Sequence, residues 1–117
     1  MPIFSGDREK EGGIPQLAHN LYQAIGDANV IVASFAEHNG TYSAAYKNVF
    51  DWTSRIDKKV FQNKSVIMLS TSPGQGGAQS VLKAANESAP YFAANVKGAL
   101  SLPSLFDNFD APNEQVT

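Results

Sequence analysis

The sequence predicts an α/β protein in which a parallel sheet is crossed by helices. Two short β-branched apolar runs, Val30-Ile31-Val32-Ala33 and Val66-Ile67-Met68-Leu69, have the length of strands. Each ends in a polar turn bearing glycine, Glu37-His38-Asn39-Gly40 and Ser72-Pro73-Gly74-Gln75-Gly76-Gly77. Each turn runs into a stretch with apolar residues at three-to-four spacing, the period of a helix packed on one side. In such folds this junction lies at the carboxyl end of a parallel strand, where ligands bind.

Element by element, Pro2-Ile3-Phe4 is a short apolar stub and a polar loop follows it through Gly13. Pro15 opens a helix at its first position, with Leu17, Leu21, Ala24 and Ile25 on its inner side. Gly26 stands where a left-handed residue would stop that helix. The run from Val30 to Ala33 is continuous in apolar character, which predicts a strand covered on both faces. A helix from about Tyr42 to Arg55 carries Ala45, Val49, Trp52 and Ile56 on one stripe, with Tyr46 and Phe50 beside it. Val60-Phe61 and a turn at Gln62-Asn63-Lys64 lead to the second strand, Val66 to Leu69. The loop from Ser70 to Gly77 feeds a helix with Val81, Leu82 and Ala85 inward, stopped before Pro90. Asn95 to Leu102 is a third strand, and the polar tail from Pro103 to Thr117 has no helix of its own. Right-handed crossovers give a parallel sheet with helices on both sides. Three parallel strands make a thin sheet with bare edges, so the chain reads as part of a larger doubly wound domain.

Composition excludes several functions. At 117 residues the chain is one domain, and 43% hydrophobic with 17% charged residues describes a packed protein, not a disordered tail. The net charge is -2 and only Lys58-Lys59 are adjacent cations, which leaves no basic footprint for nucleic acid and no attraction to anionic membrane. There is no cysteine, so disulfides, thiolate metal sites and cysteine nucleophiles are excluded. His19 and His38 stand far apart without a ligand pattern, so no metal site is expected. No apolar run reaches the ~18 residues of a membrane span. The charged start, Met1 to Gly13, has no signal-peptide apolar region. The sequons at Asn39, Asn63 and Asn86 are then chance matches, and the expected location is the cytoplasm.

The glycine-rich loop Ser72 to Gly77 fails two familiar patterns. No Lys-Ser/Thr follows at the spacing of a P-loop. Gln79 occupies the third glycine of a dinucleotide fingerprint, and Ser101 to Ser104 offers no acidic residue at the next strand end. What remains is a loop of small residues whose backbone can approach a flat ligand, before a helix N-terminus that favours negative charge. No Ser-His-Asp set is visible, and Ser72 before Pro73 is not a nucleophile elbow, so no catalytic side chain is expected. Ser34 and Ser70 stand where a phospho-accepting receiver domain would need carboxylates.

Two motifs carry a resemblance. Ala36-Glu37-His38-Asn39-Gly40 followed by Lys47-Asn48-Val49-Phe50-Asp51-Trp52 resembles the strand, Pro-Glu-Tyr-Asn-Gly-like turn and Lys-Asn-x-x-Asp-Trp helix of the NAD(P)H-dependent FMN reductase family. Thr71-Ser72-Pro73-Gly74, with Gly76-Gly77 behind it, is similar to that family's second flavin loop. The opening Met1 to Phe4 and Ile14-Pro15 are similar to its approach to the third strand. His38 stands for the usual tyrosine and Ala36 for the usual proline. The resemblance implies a flavodoxin-like fold holding the third, fourth and fifth strands, with 1–117 as a single domain and the C-terminal two-thirds of a larger one. The family's first strand and phosphate-gripping loop, and its C-terminal helix, have no counterpart here.

The implied function is hydride transfer from NADPH or NADH through FMN to a flavin, quinone or similar small acceptor. The implied cofactor contacts are Glu37, His38, Asn39 and Gly40 on one part of the ring. Thr71, Ser72, Pro73 and Gly74 supply backbone donors and close approach on another. The bare edge of the strand at Val30, with the aromatic helix surface, implies a homo-oligomer. The rival is a non-catalytic flavodoxin-like module that does not bind FMN.

Overall fold

A computed structural model of the chain describes residues 1–104, 109–110 and 115–116. The elements are α1 (Gly6–Gly12), α2 (Gln16–Asp27), β1 (Val30–Phe35), a two-residue pair β2 (Glu37–His38) and β3 (Thr41–Tyr42), and α3 (Ala44–Ser54). Then come β4 (Ser65–Thr71), α4 (Gln79–Ser88), a 3-10 turn at Ala89–Phe92, β5 (Asn95–Leu102), β6 (Phe109–Asp110) and β7 (Gln115–Val116). The main sheet has the order β1-β4-β5 and both pairings are parallel. The α/β fold with a three-stranded parallel sheet is the one the sequence predicts, and all three strands fall where their apolar runs placed them. The short pairing of β6 with β7 lies in the tail, whose remaining residues fall outside the described ones.

One face of the sheet is packed. Val81, Leu82 and Ala85 of α4 bury against Val66 and Met68 of β4 and Phe35 of β1. Tyr46 and Phe50 of α3 join them, with Phe61 and Phe92 completing an aromatic chain. The other face is open. Val32 pairs in register with Ile67, and Leu69 with Leu100. Val30, Val32, Ile67 and Leu100 are 52%, 61%, 37% and 64% exposed. The continuous apolar run of β1 therefore marks burial on one face only. Its second apolar side has no cover among the described residues, although its composition is that of a strand between two layers.

The N-terminal stub is tied to α3 by the Asn48 and Trp52 of the helix motif. Pro2 O accepts from Trp52 Nε1 at 2.8 Å and from Asn48 Nδ2 at 2.9 Å. Phe4 N donates to Asn48 Oδ1 at 2.8 Å, and the Phe4 ring meets Trp52 edge-on at 5.0 Å. Trp52 is fully buried. Between stub and α2 the sequence predicts loop, but the chain forms α1. It has no buried residue and hence no apolar period to read. Its signals are local: Ser5 Oγ caps Arg8 N, and Gly13 at φ 72° closes the far end. Arg55 grips Glu9 through two bonds, 2.7 and 3.1 Å, which hold the Glu9 carboxyl below its ordinary value.

In α2, Pro15 is the residue just before the first helical one, and Ala18 and Ile25 are the buried side. Leu17, expected inward, is 59% exposed. Gly26 does not stop the helix, which runs on to Asp27. Its role is clearance, since a Cβ there would lie 3.0 Å from Gln62 Oε1. Gln62 Nε2 in turn donates to Tyr22 O at 2.9 Å.

The β4–α4 connection is fixed at one point. Gly77 O accepts from Ser70 Oγ at 2.8 Å and from Ser101 Oγ at 2.7 Å, so the ends of β4 and β5 hold the same carbonyl. Gly77 adopts φ 59°, and a Cβ there would collide with Ser101 Oγ and lie 3.0 Å from the Pro103 backbone. Gly76 next to it has nothing within 4 Å of such a Cβ. Gly77→Ala therefore costs about 2–4 kcal/mol, combining left-handed strain with overpacking. Gly76→Ala stays within about 0.5 kcal/mol of the parent. Urea unfolding of the two variants checks this, and equal stabilities would refute the packing argument.

Candidate functional site

Three strand ends meet at the carboxyl edge of the sheet. β1 leaves through Ala36 into the β2–β3 pair, whose turn is Asn39-Gly40 with φ 53° and 82°. Both residues turn left-handed, which suits asparagine and glycine and explains the Asn-Gly of the sequence. Ser43 then caps α3 by accepting from Tyr46 N at 3.2 Å. β4 leaves through Ser72 to Ala78, and β5 ends at Leu102.

The two loops are joined by one side chain. Glu37 Oε1 accepts from Val81 N at 2.8 Å, in the first turn of α4. Ala78, the residue before α4, adopts φ 58° and makes no side-chain cap, so the carboxylate of a different loop does the capping. The helix N-terminus was expected to favour a negative charge, and the charge it holds is that of Glu37.

The other sequence-predicted residues divide into two kinds. His38, Asn39 and Gly40 are exposed on the tip of the β2–β3 turn, and a Cβ at Gly40 would meet nothing within 4 Å. Thr71 Oγ1 donates to Leu102 O at 2.5 Å, which spends its hydroxyl on β5. Ser72 Oγ donates to Gly74 O at 3.3 Å, and Gly74 O also accepts from Ser104 N at 2.7 Å and from Gly77 N at 3.4 Å. Pro73 and Gly74 are exposed, and a Cβ at Gly74 would lie 4.0 Å from Ser72 Oγ. The loop thus presents open backbone at Gly40, Gly74 and Gly76 while its far side is anchored.

Two residues of the site have a role that the sequence does not suggest. Ser70 and Ser101 each stand at a strand end, and their common target, Gly77 O, becomes visible only when β4 and β5 pair. The readable signal was a serine at the end of both apolar runs.

The residues present suit a flat heterocycle better than its phosphate. Open glycine backbone offers approach to a ring. From Ala36 to Ser43 and from Thr71 to Ala78 there is no Lys or Arg to neutralise a phosphate. Glu37 would hold FMN only indirectly, through the loop it fixes. The backbone of Asn39-Gly40 and of Ser72 to Gly76 would face the ring. The chemistry FMN supplies when bound is acceptance of hydride and release of electrons, which needs no acid–base side chain from the protein.

The chain is similar to several known proteins. The sequence is 34% identical over 80 residues to an NADPH:quinone oxidoreductase of Arabidopsis thaliana, covering 68% of this chain and 40% of that protein. It is 30% identical to a quinone reductase of Escherichia coli K12, again over 68% of this chain, and 43% of that one. The chain thus spans less than half the length of these two relatives. In structure it superposes on FerB, a flavoenzyme NAD(P)H:(acceptor) oxidoreductase from Paracoccus denitrificans, with a TM-score of 0.72 at 21% identity. The superposition covers all of this chain and 64% of FerB. The family described as NADPH-dependent FMN reductase, whose description implies FMN and NAD(P)H, matches residues 1–105. With a flavodoxin-like α/β fold, two latched loops at the carboxyl edge of the sheet and this match, the chain belongs to the NADPH-dependent FMN reductase family.

Proposed function

We propose that this chain holds the ring of FMN in an oxidoreductase that passes hydride from NADPH or NADH to a flavin, a quinone or a similar small acceptor. The observation that carries this reading is the Glu37–Val81 latch between two loops whose glycine backbone is open. A site of this kind needs loops that are fixed in place yet bare at the surface. The names of the relatives favour a quinone among the possible acceptors. The reading takes 1–117 as one domain and as the C-terminal two-thirds of a larger one. We take the cytoplasm as its compartment.

The ring contacts predict a particular affinity pattern. Phosphate bonds are charge-assisted and worth ~1.5–3 kcal/mol each, so lacking two or three lowers affinity by about two to six orders of magnitude. The chain therefore binds FMN weakly and discriminates little against riboflavin. Titration of both flavins, followed by flavin fluorescence, checks this. Sub-micromolar FMN affinity with strong preference over riboflavin would show that a phosphate site is present. No binding of either, and a colourless preparation, would favour the non-catalytic module.

The turn assignment predicts that Asn39→Ala weakens flavin binding by about tenfold, because alanine strains the left-handed turn whose backbone faces the ring. Lys47→Ala changes it by less than about threefold, because Lys47 lies on α3 and pairs with Asp51 at 2.6 Å. Equal losses, or none at Asn39, would refute the loop assignment.

Association follows from the open face of the sheet. Val30, Val32, Ile67 and Leu100 form an apolar surface beside an edge of β1 that no strand among the described residues pairs, and both features favour self-association. The chain is expected to be a dimer or larger at micromolar concentration. Sedimentation velocity decides it, and a stable, well-folded monomer would overturn this reading.

A further inference from the structure

A cavity of about 200 Å³ lies between α3 and α4, away from the two loops. None of Glu37 to Gly40 or Thr71 to Gly74 lines it. Its walls are aromatic: Tyr42, Tyr46, Phe50 and Phe92, with Phe61 and Met68 also lining it. The rings are already arranged among themselves. Tyr42 stacks on Tyr46 at 5.1 Å, and Phe92 meets Phe50 edge-on at 4.7 Å.

We propose that this cavity is a second binding site, for a neutral six-membered aromatic ring bearing a hydroxyl, a simple phenol or hydroquinone. Size sets the first limit. A dry apolar cavity of roughly 150 Å³ takes a benzene ring, so this one has room for a single ring and its substituents. Wall chemistry sets the second, since aromatic faces and edges favour another aromatic ring over an aliphatic one.

Polarity sets the third limit. The Tyr46 hydroxyl has no hydrogen-bond partner among the described residues. Burial first, and Tyr42 second, raise its pKa above the ordinary tyrosine value, so it stays a protonated donor. An oxygen on the ligand would accept that proton bond. The polar residues Lys47 and Asp51 also line the cavity, but they neutralise each other at 2.6 Å. The site therefore offers an ionised ligand no net opposite charge, and a neutral phenol suits it best.

The place of the site gives it a route to the cofactor loops. Tyr42 is the register partner of Glu37 across β2 and β3, and Glu37 is the latch on α4. A ligand pressed on the Tyr42 ring bears on the strand that carries the latch.

Amide NMR of the flavin-free chain tests this, with phenol, toluene and cyclohexanol titrated separately. The expected result is saturable shifts at Tyr42, Tyr46, Phe50 and Phe92 with phenol, and binding of cyclohexanol at least fivefold weaker. Tyr46→Phe keeps the wall and removes the donor. It lowers phenol affinity about three- to tenfold, as one lost hydrogen bond does, and leaves toluene unchanged. Ser88→Leu fills the cavity and abolishes the shifts with both ligands. If that variant does not fold, Tyr46→Phe decides alone. Absence of saturable shifts with phenol, shifts confined to the Glu37–Gly40 turn, or unchanged phenol affinity in Tyr46→Phe would overturn the proposal. So would shifts of the same four amides on simple dilution, which would place a second copy of the chain in the cavity. None of these readouts uses FMN, so failure here leaves the flavin reading standing.

Discussion

The site depends on a carboxylate that belongs to one loop and serves another. Helix α4 begins without a capping side chain of its own, at a residue in left-handed conformation, and its first turn would leave N–H groups unpaired. Glu37 supplies the missing acceptor from across the sheet edge. A charge-assisted bond of this kind is worth about 1.5–3 kcal/mol, more than a neutral cap, and the helix dipole adds to it. The energetic consequence is local stability. The functional consequence is larger, because this contact ties the β2–β3 turn directly to the start of α4.

The second constraint is the carbonyl of Gly77. Two serine hydroxyls from neighbouring strands share one acceptor, which pins the β4–α4 loop on its inner side and leaves its outer side to solvent. Only glycine serves at that position. The φ of 59° is tolerable for other residues at some cost, as Ala78 shows at 58°, but the space beside Ser101 and Pro103 is not there. Glycines in this loop thus do two different jobs. Gly77 allows close packing inward, whereas Gly74 and Gly76 leave room outward for whatever the loop approaches.

The strands and principal helices were legible because burial on the packed face imposes a period on the sequence. Val66, Met68, Val81, Leu82 and Ala85 are apolar at the spacing their elements require, and they are buried. The Asn39-Gly40 turn was legible for a different reason, since positive φ restricts residue type directly. What escaped was structure held by polar contacts alone. Helix α1 buries nothing and is fixed by caps and by the Arg55–Glu9 pair, partners 46 residues apart. Gly26 looked like a helix stop because glycine commonly is one, yet its purpose is to admit Gln62, a neighbour that sequence distance conceals. In the site, the loops and their glycines could be read. The split of roles within them could not, because the partners of Glu37 and Gly77 are set by which strands pair.

The open face of the sheet shows how far local sequence and global fold agree. β1 carries the composition of a strand buried on both sides, and one side is bare. A strand that reads as central while lying at an edge is a conflict between levels, and natural sequences rarely carry such conflicts without a compensating contact. The conflict is confined to one surface. The packed face, the latch and the aromatic cavity all lie on the side where sequence pattern and structure agree. The loops that would face a flavin are anchored from that same side, through Glu37 to α4 and through α3 to the N-terminal stub. The geometry of the site therefore does not depend on what covers the bare face, whereas the stability of the sheet beneath it does.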